Sequence, residues 1–468
     1  MKINFKQKSF FYNLAIIQLF LLGFFAFILT YISFNNPHVI LSIYLSNFMV
    51  ISVFVICIFF WNLFFPKEII HGINNYIFLG FLFFLGSESF LKILQYQSKG
   101  VFSHISVKSV DLVRANFLII LGVIFYSIGA FLINHKKIMV KFKLPRELIS
   151  SKVGWVIFII GIISFGLDFE ISWLYSSYRN FDTNKIYSLI WMNFLPISGF
   201  VLLANEKHKK KGLAILNLLV LFYLVKGNRG YAISLLLTTF WAYNLSWTIP
   251  DKKKLFKGLI IFLIVILLIF VFQNFKSATV IEKTDLDNYK NIDFKNAFIS
   301  VLIEGSVTYR TLVHTVQYIP ENKNFDLGKS YLWGATTVFP NIFSDNHPAT
   351  SLRKSPSEWF KWTFNPIQAE KGQGYGFNII SEAYYNFGIY GVMFIMLFLG
   401  VFITKLSIWS QVAKSNMVIT SLLLHNIFWG IRNTFQSIIR SIIWEISILI
   451  VIYLLLNLLS KAFKLNNS

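Results

Sequence analysis

The chain has 468 residues, of which 56% are hydrophobic and 14% are charged, and its formal net charge is +22. Soluble proteins carry roughly 25% charged residues, so this composition excludes a soluble enzyme and a disordered chain. Apolar runs near 20 residues match membrane-spanning helices, whereas the strands of an outer-membrane barrel alternate and span only about ten residues. The single cysteine, Cys57, excludes an intrachain disulfide and a CxxC metal site. We therefore predict an all-α polytopic membrane protein.

Twelve apolar segments are predicted as membrane-spanning helices. In chain order they are roughly 10–33, 39–65, 73–94, 115–133, 153–175, 186–203, 213–225, 231–249, 259–275, 376–403, 417–431 and 438–459. Lysines precede the first segment, but no small-x-small cleavage site follows it. We therefore predict a retained span and not a cleaved signal peptide.

The positions of the basic residues predict which side of the membrane each loop occupies. If both termini are cytoplasmic, the cytoplasmic segments hold 22 of the 43 basic residues but only four of the 21 acidic residues. This asymmetry follows the positive-inside rule, so topology accounts for the net charge. We predict that both termini are cytoplasmic, and we expect no nucleic-acid partner.

A polar segment of 98 residues, 276–373, interrupts the apolar pattern and holds five of the ten prolines. We predict that it is an extracytoplasmic loop with helical segments, since loops of this length are usually functional. It would separate an N-terminal bundle of about nine spans, at 1–275, from about three C-terminal spans at 374–468. Within the loop, residues 296–318 follow a helical pattern that Pro320 ends.

Arginines and lysines are distributed differently along the chain. The predicted cytoplasmic segments hold 21 lysines but only one arginine, Arg146. The guanidinium fork pairs with phosphate or carboxylate through two hydrogen bonds, so an outward concentration of arginine indicates an outward-facing site for an anionic group. The alternative is that these arginines pair with acidic residues on the same side. The seven arginines in predicted outer loops or near outer span ends are Arg114, Arg179, Arg229, Arg310, Arg353, Arg432 and Arg440.

Arg229 lies in the sequence Lys226-Gly227-Asn228-Arg229-Gly230. The preceding apolar run has 13 residues, and a helix of that length reaches about 20 Å, short of the ~30 Å hydrocarbon core. We therefore predict a break between two short helices below the outer membrane surface. Broken backbone and an intramembrane arginine are tolerated where they line a cavity or are buried in protein. The alternative to a binding site is a plain turn.

A second feature opens the tenth predicted span, where Asn378, Glu382 and Asn386 recur every four residues. On a helix they form one polar stripe. A carboxylate at this depth is costly unless it faces a partner or a wet cavity, so Glu382 is a functional candidate. The alternative is a structural ion pair with one of the arginines. The glycines before it do not form a dinucleotide-binding loop, because no βαβ unit surrounds them.

The third feature is the short turn between the last two predicted spans. Arg432, Gln436 and Arg440 recur every four residues, so they share one face if the helix is continuous there. If the helix breaks at the turn, Arg440 still enters the last span just below the surface. Glu445 lies deeper in that span, and we predict a structural role for it.

The pattern G-x-G-F-x-x-x-x-E-x-Y-x-N-F-G-x-x-G, from Gly374 to Gly391, resembles the O-antigen polysaccharide polymerase family. These are the Wzy-type oligosaccharide repeat-unit polymerases. The G-x-R-G turn at Gly227–Gly230, the long outer loop and the late arginines are similar to that family as well. The resemblance implies the glycosyltransferase C-type membrane fold. It also implies a glycosyltransferase that joins repeat units carried on undecaprenyl diphosphate into O-antigen, capsular polysaccharide or exopolysaccharide. The reaction would take place on the outer face of the bacterial cytoplasmic membrane.

The residue roles that we expect follow the chemistry of a diphosphate leaving group. Preplaced arginines stabilise the charge that develops on it, and we assign Arg229, Arg432 and Arg440 to that role. Glu382 is the candidate general base, or it orients an arginine or the acceptor. The remaining predicted substrate contacts are Gly227, Asn228, Gly230, Arg310, His314, Asn378, Tyr385 and Asn386.

The sequence predicts no cofactor and no metal site. The Asp285-Leu286-Asp287 triplet is read as part of a solvated loop, and His314 and His347 lack metal-ligand spacing. Expected partners are the lipid-linked oligosaccharide, the bilayer, a flippase and chain-length regulators. One alternative is an O-antigen ligase-like transferase. Another is a repeat-unit flippase, whose polar residues should recur on both membrane sides instead of crowding outside.

Overall fold

The computed structural model of the protein describes residues 5–37, 42–65, 72–96, 107–133, 142–170, 185–226, 228–246, 294–339, 354–370 and 376–465. Every regular element in this part of the chain is helical. The α-helices are α1 (Phe5–Asn35), α2 (Ile43–Phe64), α3 (Ile73–Ile93), α4 (Ser109–Leu132), α5 (Ser151–Asp168), α6 (Lys185–Ala204), α7 (Lys209–Lys226), α8 (Arg229–Ser246), α9 (Phe294–Tyr318), α10 (Lys329–Thr336), α11 (Pro356–Phe364), α12 (Pro366–Glu370), α13 (Ile379–Ser410), α14 (Lys414–Gly430) and α15 (Phe435–Leu465).

Among the described residues, eight helices are long and apolar enough to cross a membrane, and each coincides with a predicted span. They are Tyr12–Asn35, Ile43–Phe64, Ile73–Ile93, Ser109–Leu132, Ser151–Asp168, Ile186–Ala204, Ile379–Ser410 and Phe435–Ala462. Three more predicted spans are helical, as α7 and α8 with 18 residues each and α14 with 17. The predicted span 259–275 lies outside the described residues. The chain is therefore a multi-pass helical membrane protein, and its total of twelve spans stays a prediction.

The chain divides into two compact units. The first contains Met1–Met139, Val301–Ile408 and Gly430–Ser437, and the second contains Val140–Ser300, Trp409–Trp429 and Ile438–Ser468. The predicted division at residues 275 and 373 concerns the side of the membrane on which each segment lies. That division, like the external position of the long loop, stays a prediction.

Helix α4 forms the core of the first unit, and 89% of its most apolar stretch is buried. Glycines bring it close to α13, because a Cβ at Gly129 would overlap the carbonyl oxygen of Leu397, and one at Gly400 would overlap that of Tyr126. Small residues allow membrane helices to pack backbone against backbone in this way. The Tyr126 hydroxyl also donates a 2.7 Å hydrogen bond to Asn74 of α3. These contacts fix α3, α4 and α13 together.

The helix predicted at 296–318 is confirmed as α9, which ends at Tyr318. It is not a solvent-facing loop helix, because polar residues such as Thr308 and Thr311 are completely buried. Gly305 lies against the backbone of Phe83 in α3. The Tyr309 hydroxyl donates to the Asn116 side chain of α4 at 2.9 Å. The long polar segment therefore contributes a buried helix to the core of the first unit.

Helix α13 is broken near its beginning at Gly388, whose φ of +63° and ψ of −147° are not helical. The break frees the carbonyls of Tyr385 and Asn386 from their usual partners in the next turn. Those carbonyls accept hydrogen bonds from the backbone N–H groups of Asp326 and Leu327 at 3.0 and 2.9 Å. The segment before α10 is thereby attached to the first two turns of α13.

The second unit contains α5 to α8, α14 and most of α15. Gly212 of α7 lies against the backbone of Gly199 and Leu203 in α6. Asp168, at the end of α5, is buried and accepts a 2.8 Å hydrogen bond from the Trp191 indole of α6. These contacts hold α7, and the break that follows it, against α6.

Candidate functional site

The first unit contains a buried polar cluster around Glu382, in the first turn of α13. Glu382 is only 2% exposed. Its Oε1 atom accepts a 3.0 Å hydrogen bond from the Ser330 hydroxyl of α10. Its Oε2 atom accepts a 2.6 Å hydrogen bond from the backbone N–H of Phe435, the first residue of α15. The carboxylate therefore lies at a helix N-terminus, where the helix dipole favours negative charge.

Asn386 and Tyr331 complete this Glu382 cluster. Asn386 is fully buried, and its amide nitrogen donates to the Ser330 hydroxyl at 2.7 Å and to the Glu382 carbonyl at 2.8 Å. Burial, reinforced by the charge of Glu382, raises the pKa of Tyr331 well above its ordinary value. Tyr331 therefore keeps its proton. Ser330 and Tyr331 carried no sequence signal, because the long polar segment offers many residues of the same kind.

Arg432 lies in the turn between α14 and α15 and is held against the start of α13. Its carbonyl oxygen accepts a 2.8 Å hydrogen bond from the N–H of Phe377. Gly376 has a φ of +75°, and a Cβ there would lie 2.6 Å from the same carbonyl oxygen. A residue other than glycine would therefore be strained and would displace the turn. With the bond from Phe435 to Glu382, the Arg432 turn is attached to α13 at both ends.

Arg310, a predicted substrate contact, has its ion-pair partner in α3 and not in the Glu382 cluster. Its guanidinium is 3.8 Å from the carboxylate of Glu88 in α3, and the Lys92 ammonium lies at the same distance from that carboxylate. Glu88 therefore pairs with Lys92, four residues further along α3, and with Arg310. This arrangement corresponds to the alternative in which an outer arginine pairs with a nearby acid.

Three more predicted substrate contacts have structural partners in the first unit. Asn378 caps α13, since its Oδ1 accepts from the Ser381 N–H at 2.8 Å, and its amide donates to the Thr308 carbonyl at 2.8 Å. His314 is fully buried beside the ring of Phe364. Tyr385 is 3% exposed. Lys323 places its ammonium 4.3 Å from the ring centre of Tyr385, a cation–π contact.

The predicted break around Arg229 is present in the second unit. Helix α7 ends at Lys226 and α8 begins at Arg229. Asn228 caps α8 by accepting from the Tyr231 N–H at 3.4 Å, and Gly230 lies in its first turn. Gly227 and the side chain of Arg229 lie outside the described residues.

Arg440 lies in the first turns of α15 and belongs to the second unit. Its guanidinium carbon is 6.0 Å from the ring centre of Trp444. Because α14 ends at Gly430 and α15 begins at Phe435, the helix breaks at the turn, which is the second of the two arrangements considered from the sequence. Only Gln436 and Arg440 share a helix, since the turn separates Arg432 from them.

A second buried polar cluster, in the second unit, was missed from the sequence. The Nδ1 atom of His425 lies 3.1 Å from the Ser234 hydroxyl, and the ring of Tyr231 meets the imidazole edge-on at 4.4 Å. The Asn426 amide donates to the Glu445 carboxylate at 3.0 Å. Glu445, expected to have a structural role, therefore has Asn426 as a partner. A His-Asn pair inside an apolar run was a usable signal, because intramembrane polar residues are costly.

Several predicted features lie outside the described residues, namely Arg179, Asp285, Asp287, His347 and Arg353. Within the part of the chain that the structure describes, no three His, Cys, Asp or Glu side chains are grouped closely enough to hold a metal ion.

Comparisons with known proteins give two similarities. The model of the family described as "O-antigen polysaccharide polymerase Wzy" matches residues 12–464. Protein CapE of Staphylococcus aureus is 29% identical over 241 residues, which are 50% of this chain and 48% of CapE. The chain thus spans about half the length of the curated relative that it matches. No solved structure matches the chain.

Proposed function

Because the chain belongs to the O-antigen polysaccharide polymerase Wzy family, we propose that it joins lipid-linked oligosaccharide repeat units into a cell-surface polysaccharide. The observation that carries this proposal is the family match over residues 12–464, which includes nearly every described helix. The membrane-spanning helices are consistent with a substrate anchored in the bilayer. O-antigen, capsular polysaccharide and exopolysaccharide are all within the proposed product class.

The proposed donor is a repeat unit on undecaprenyl diphosphate at the outer face of the cytoplasmic membrane. The excess of lysine in alternate loops supports cytoplasmic termini, and the concentration of arginine in the other loops supports an anionic ligand outside. In the proposed step, an acceptor sugar hydroxyl attacks the anomeric carbon of the donor. The bond from that carbon to the diphosphate breaks, the lipid diphosphate leaves, and the hydroxyl gives up its proton to a base.

In the first unit, we assign the diphosphate to Arg432. The backbone of the turn that carries Arg432 is fixed at both ends, and a charge held in place before the reaction stabilises a developing anion without reorganising during it. Arg229 and Arg440 belong to the second unit. For these two residues, the proposed role as phosphate ligands rests on the sequence alone.

We assign Glu382 a positioning role, in preference to that of general base. Both of its carboxylate oxygens already accept hydrogen bonds, one from Ser330 and one from Phe435, and the side chain is 2% exposed. A general base must be within hydrogen-bond reach of the proton that it removes. Glu382 could reach an acceptor hydroxyl only if one of these two donors gave way. Its more direct effect is to hold the turn that carries Arg432.

The experiment that tests the proposed function is deletion of the gene, followed by gel analysis of the surface glycan and of the lipid-linked pool. If the chain is the polymerase, single repeat units remain on the surface lipid or on the carrier, and the wild-type gene restores long chains. Long chains that accumulate on the carrier would indicate a ligase. Repeat units retained on the cytoplasmic side would indicate a flippase.

A further inference from the structure

The segment from Leu327 to Phe339 has two faces of different character. Ser330, Gly334 and Thr337, spaced as neighbours on one side of α10, are buried. Ser330 belongs to the Glu382 cluster, and a Cβ at Gly334 would lie 3.2 Å from the backbone of Gln436. This side of α10 therefore packs against the polar core of the first unit.

The other side of the segment is apolar and exposed. Leu327, Leu332 and Phe339 are 72%, 68% and 73% exposed. These fractions match or exceed those of residues on the membrane-spanning helices, such as Phe24 at 64%. In water, an apolar patch next to a buried polar cluster would be unfavourable, and such patches mark interaction surfaces.

The patch is continuous with the lipid-facing side of α13. Exposed aromatic residues recur along that span at Phe387, Tyr390, Phe394, Phe398 and Phe402. This row of side chains begins at Phe387, which lies directly beside the segment that leads into α10. The Tyr331 ring stacks on Phe387 with centroids 6.3 Å apart, and a Cβ at Gly328 would lie 2.8 Å from the Phe387 ring.

The residues around the patch are those found where protein crosses the surface of a bilayer. Lys329 is exposed one turn before Leu332, and Trp333 and Tyr331 are half-buried. Lysine can keep its charge among lipid headgroups while its stem lies along hydrocarbon, and tryptophan and tyrosine are enriched at membrane interfaces.

We propose that the α10 segment lies in the membrane interface and that Leu327, Leu332 and Phe339 insert into the hydrocarbon of the bilayer lipids. The stacking of Tyr331 on Phe387 continues the lipid-facing surface of α13 onto this segment. An amphipathic helix in that position buries its apolar face at the boundary between headgroups and acyl chains. If the proposed function is correct, the Glu382 cluster lies at the depth of a lipid-linked diphosphate.

Site-directed spin labelling tests this placement without measuring activity, so it is independent of the proposed function. The background is Cys57→Ala, because Cys57 is the only cysteine and is buried. The label is attached at Leu332→Cys, and separately at Phe339→Cys, in nanodiscs of phosphatidylethanolamine and phosphatidylglycerol. Phe394→Cys on the span is the hydrocarbon control, and Asn322→Cys, which is exposed next to buried helix α9, is the aqueous control.

The expected result is that labels at 332 and 339 collide with dissolved oxygen more than with a water-soluble nickel chelate, as the label at 394 does. A higher collision rate with the chelate, as expected at 322, would place the patch in water and overturn the proposal. A label at 332 and at 339 that neither reagent reaches would show that protein, such as a second copy of this chain, covers the face. That result would also overturn the proposal.

Discussion

The backbone N–H of Phe435 lies 2.6 Å from the carboxylate of Glu382, so that a residue of one helix caps the start of another. Arg432 precedes Phe435 by three residues, and its own carbonyl is bonded to Phe377. The position of the arginine thus depends on a carboxylate that it does not need to touch. This relationship separates two roles that the sequence left open for Glu382, a base and a positioning residue.

We expect Glu382→Gln to slow polymerisation only several-fold. Glutamine retains one oxygen for the Phe435 N–H, and weakening a charge-assisted hydrogen bond by about 1 kcal/mol corresponds to a several-fold loss of rate. Loss of a general base would cost on the order of 10²-fold or more. The measurement is the rate of glycan elongation by purified protein across pH, with membrane abundance determined by immunoblot.

Two further variants distinguish the roles of Glu382. Glu382→Ala leaves the half-buried N–H of Phe435 without its acceptor. The loss costs up to about 3 kcal/mol, so the melting temperature in detergent should fall together with activity. Ser330→Ala removes the other partner and should lower elongation less. A loss of more than a hundredfold in Glu382→Gln, together with loss of one limb of the pH profile at unchanged stability, would restore the assignment as base.

Arg432→Lys should nearly abolish elongation while the protein accumulates normally in the membrane. Lysine keeps the charge but loses the planar fork that holds a phosphate by two hydrogen bonds. The matched control is Arg146→Lys, an exposed position in a predicted cytoplasmic segment, which should leave glycan length unchanged. If Arg432→Lys gives wild-type chain length at wild-type abundance, Arg432 does not bind the diphosphate.

Gly376→Ala should impair the protein through the Arg432 turn. The left-handed backbone at Gly376 costs a non-glycine residue about 1–2 kcal/mol, and a Cβ there would lie 2.6 Å from the Arg432 carbonyl. The control is Gly166→Ala in α5, where a Cβ meets no atom within 4 Å. Elongation and melting temperature should both fall in Gly376→Ala, and both should stay unchanged in Gly166→Ala. Equal behaviour of the two would show that the turn is not set by Gly376.

The sequence predicted the helical membrane fold, the eight long apolar helices among the described residues and the break before Arg229, because these follow from apolar length and from glycine. It did not predict burial. Arg310 and His314 were predicted as substrate contacts on a helix of the extracytoplasmic loop, yet α9 is packed inside the first unit, and Arg310 pairs with Glu88. Partners such as Ser330 and Phe435 come from distant positions in the chain, and periodicity along one helix contains no information about them.

Elongation should continue in excess EDTA. Arginines can supply the positive charge that a metal would otherwise supply to a diphosphate leaving group, so we expect metal-independent transfer. The measurement is elongation of purified protein with EDTA, and again after Mg²⁺ or Mn²⁺ is restored. Activity that is lost with EDTA and regained with the metal would contradict the prediction. Asp285 and Asp287 would then be the first residues to substitute, with Asp285→Asn tested before Asp287→Asn.

The last prediction concerns the break between α7 and α8 in the second unit. Arg229→Lys should nearly abolish polymerisation while the protein accumulates normally. Lysine could replace an arginine that only neutralises charge, but it could not replace one that binds phosphate through its fork. Asn228→Ala is the matched control for the turn itself. It removes the cap of α8 at a cost of about 1 kcal/mol but leaves Arg229 in place, so it should lower the melting temperature more than the glycan length. Measuring glycan length and melting temperature for both variants separates ligand binding from helix capping. Long glycan from Arg229→Lys at normal abundance would remove Arg229 from the proposed site.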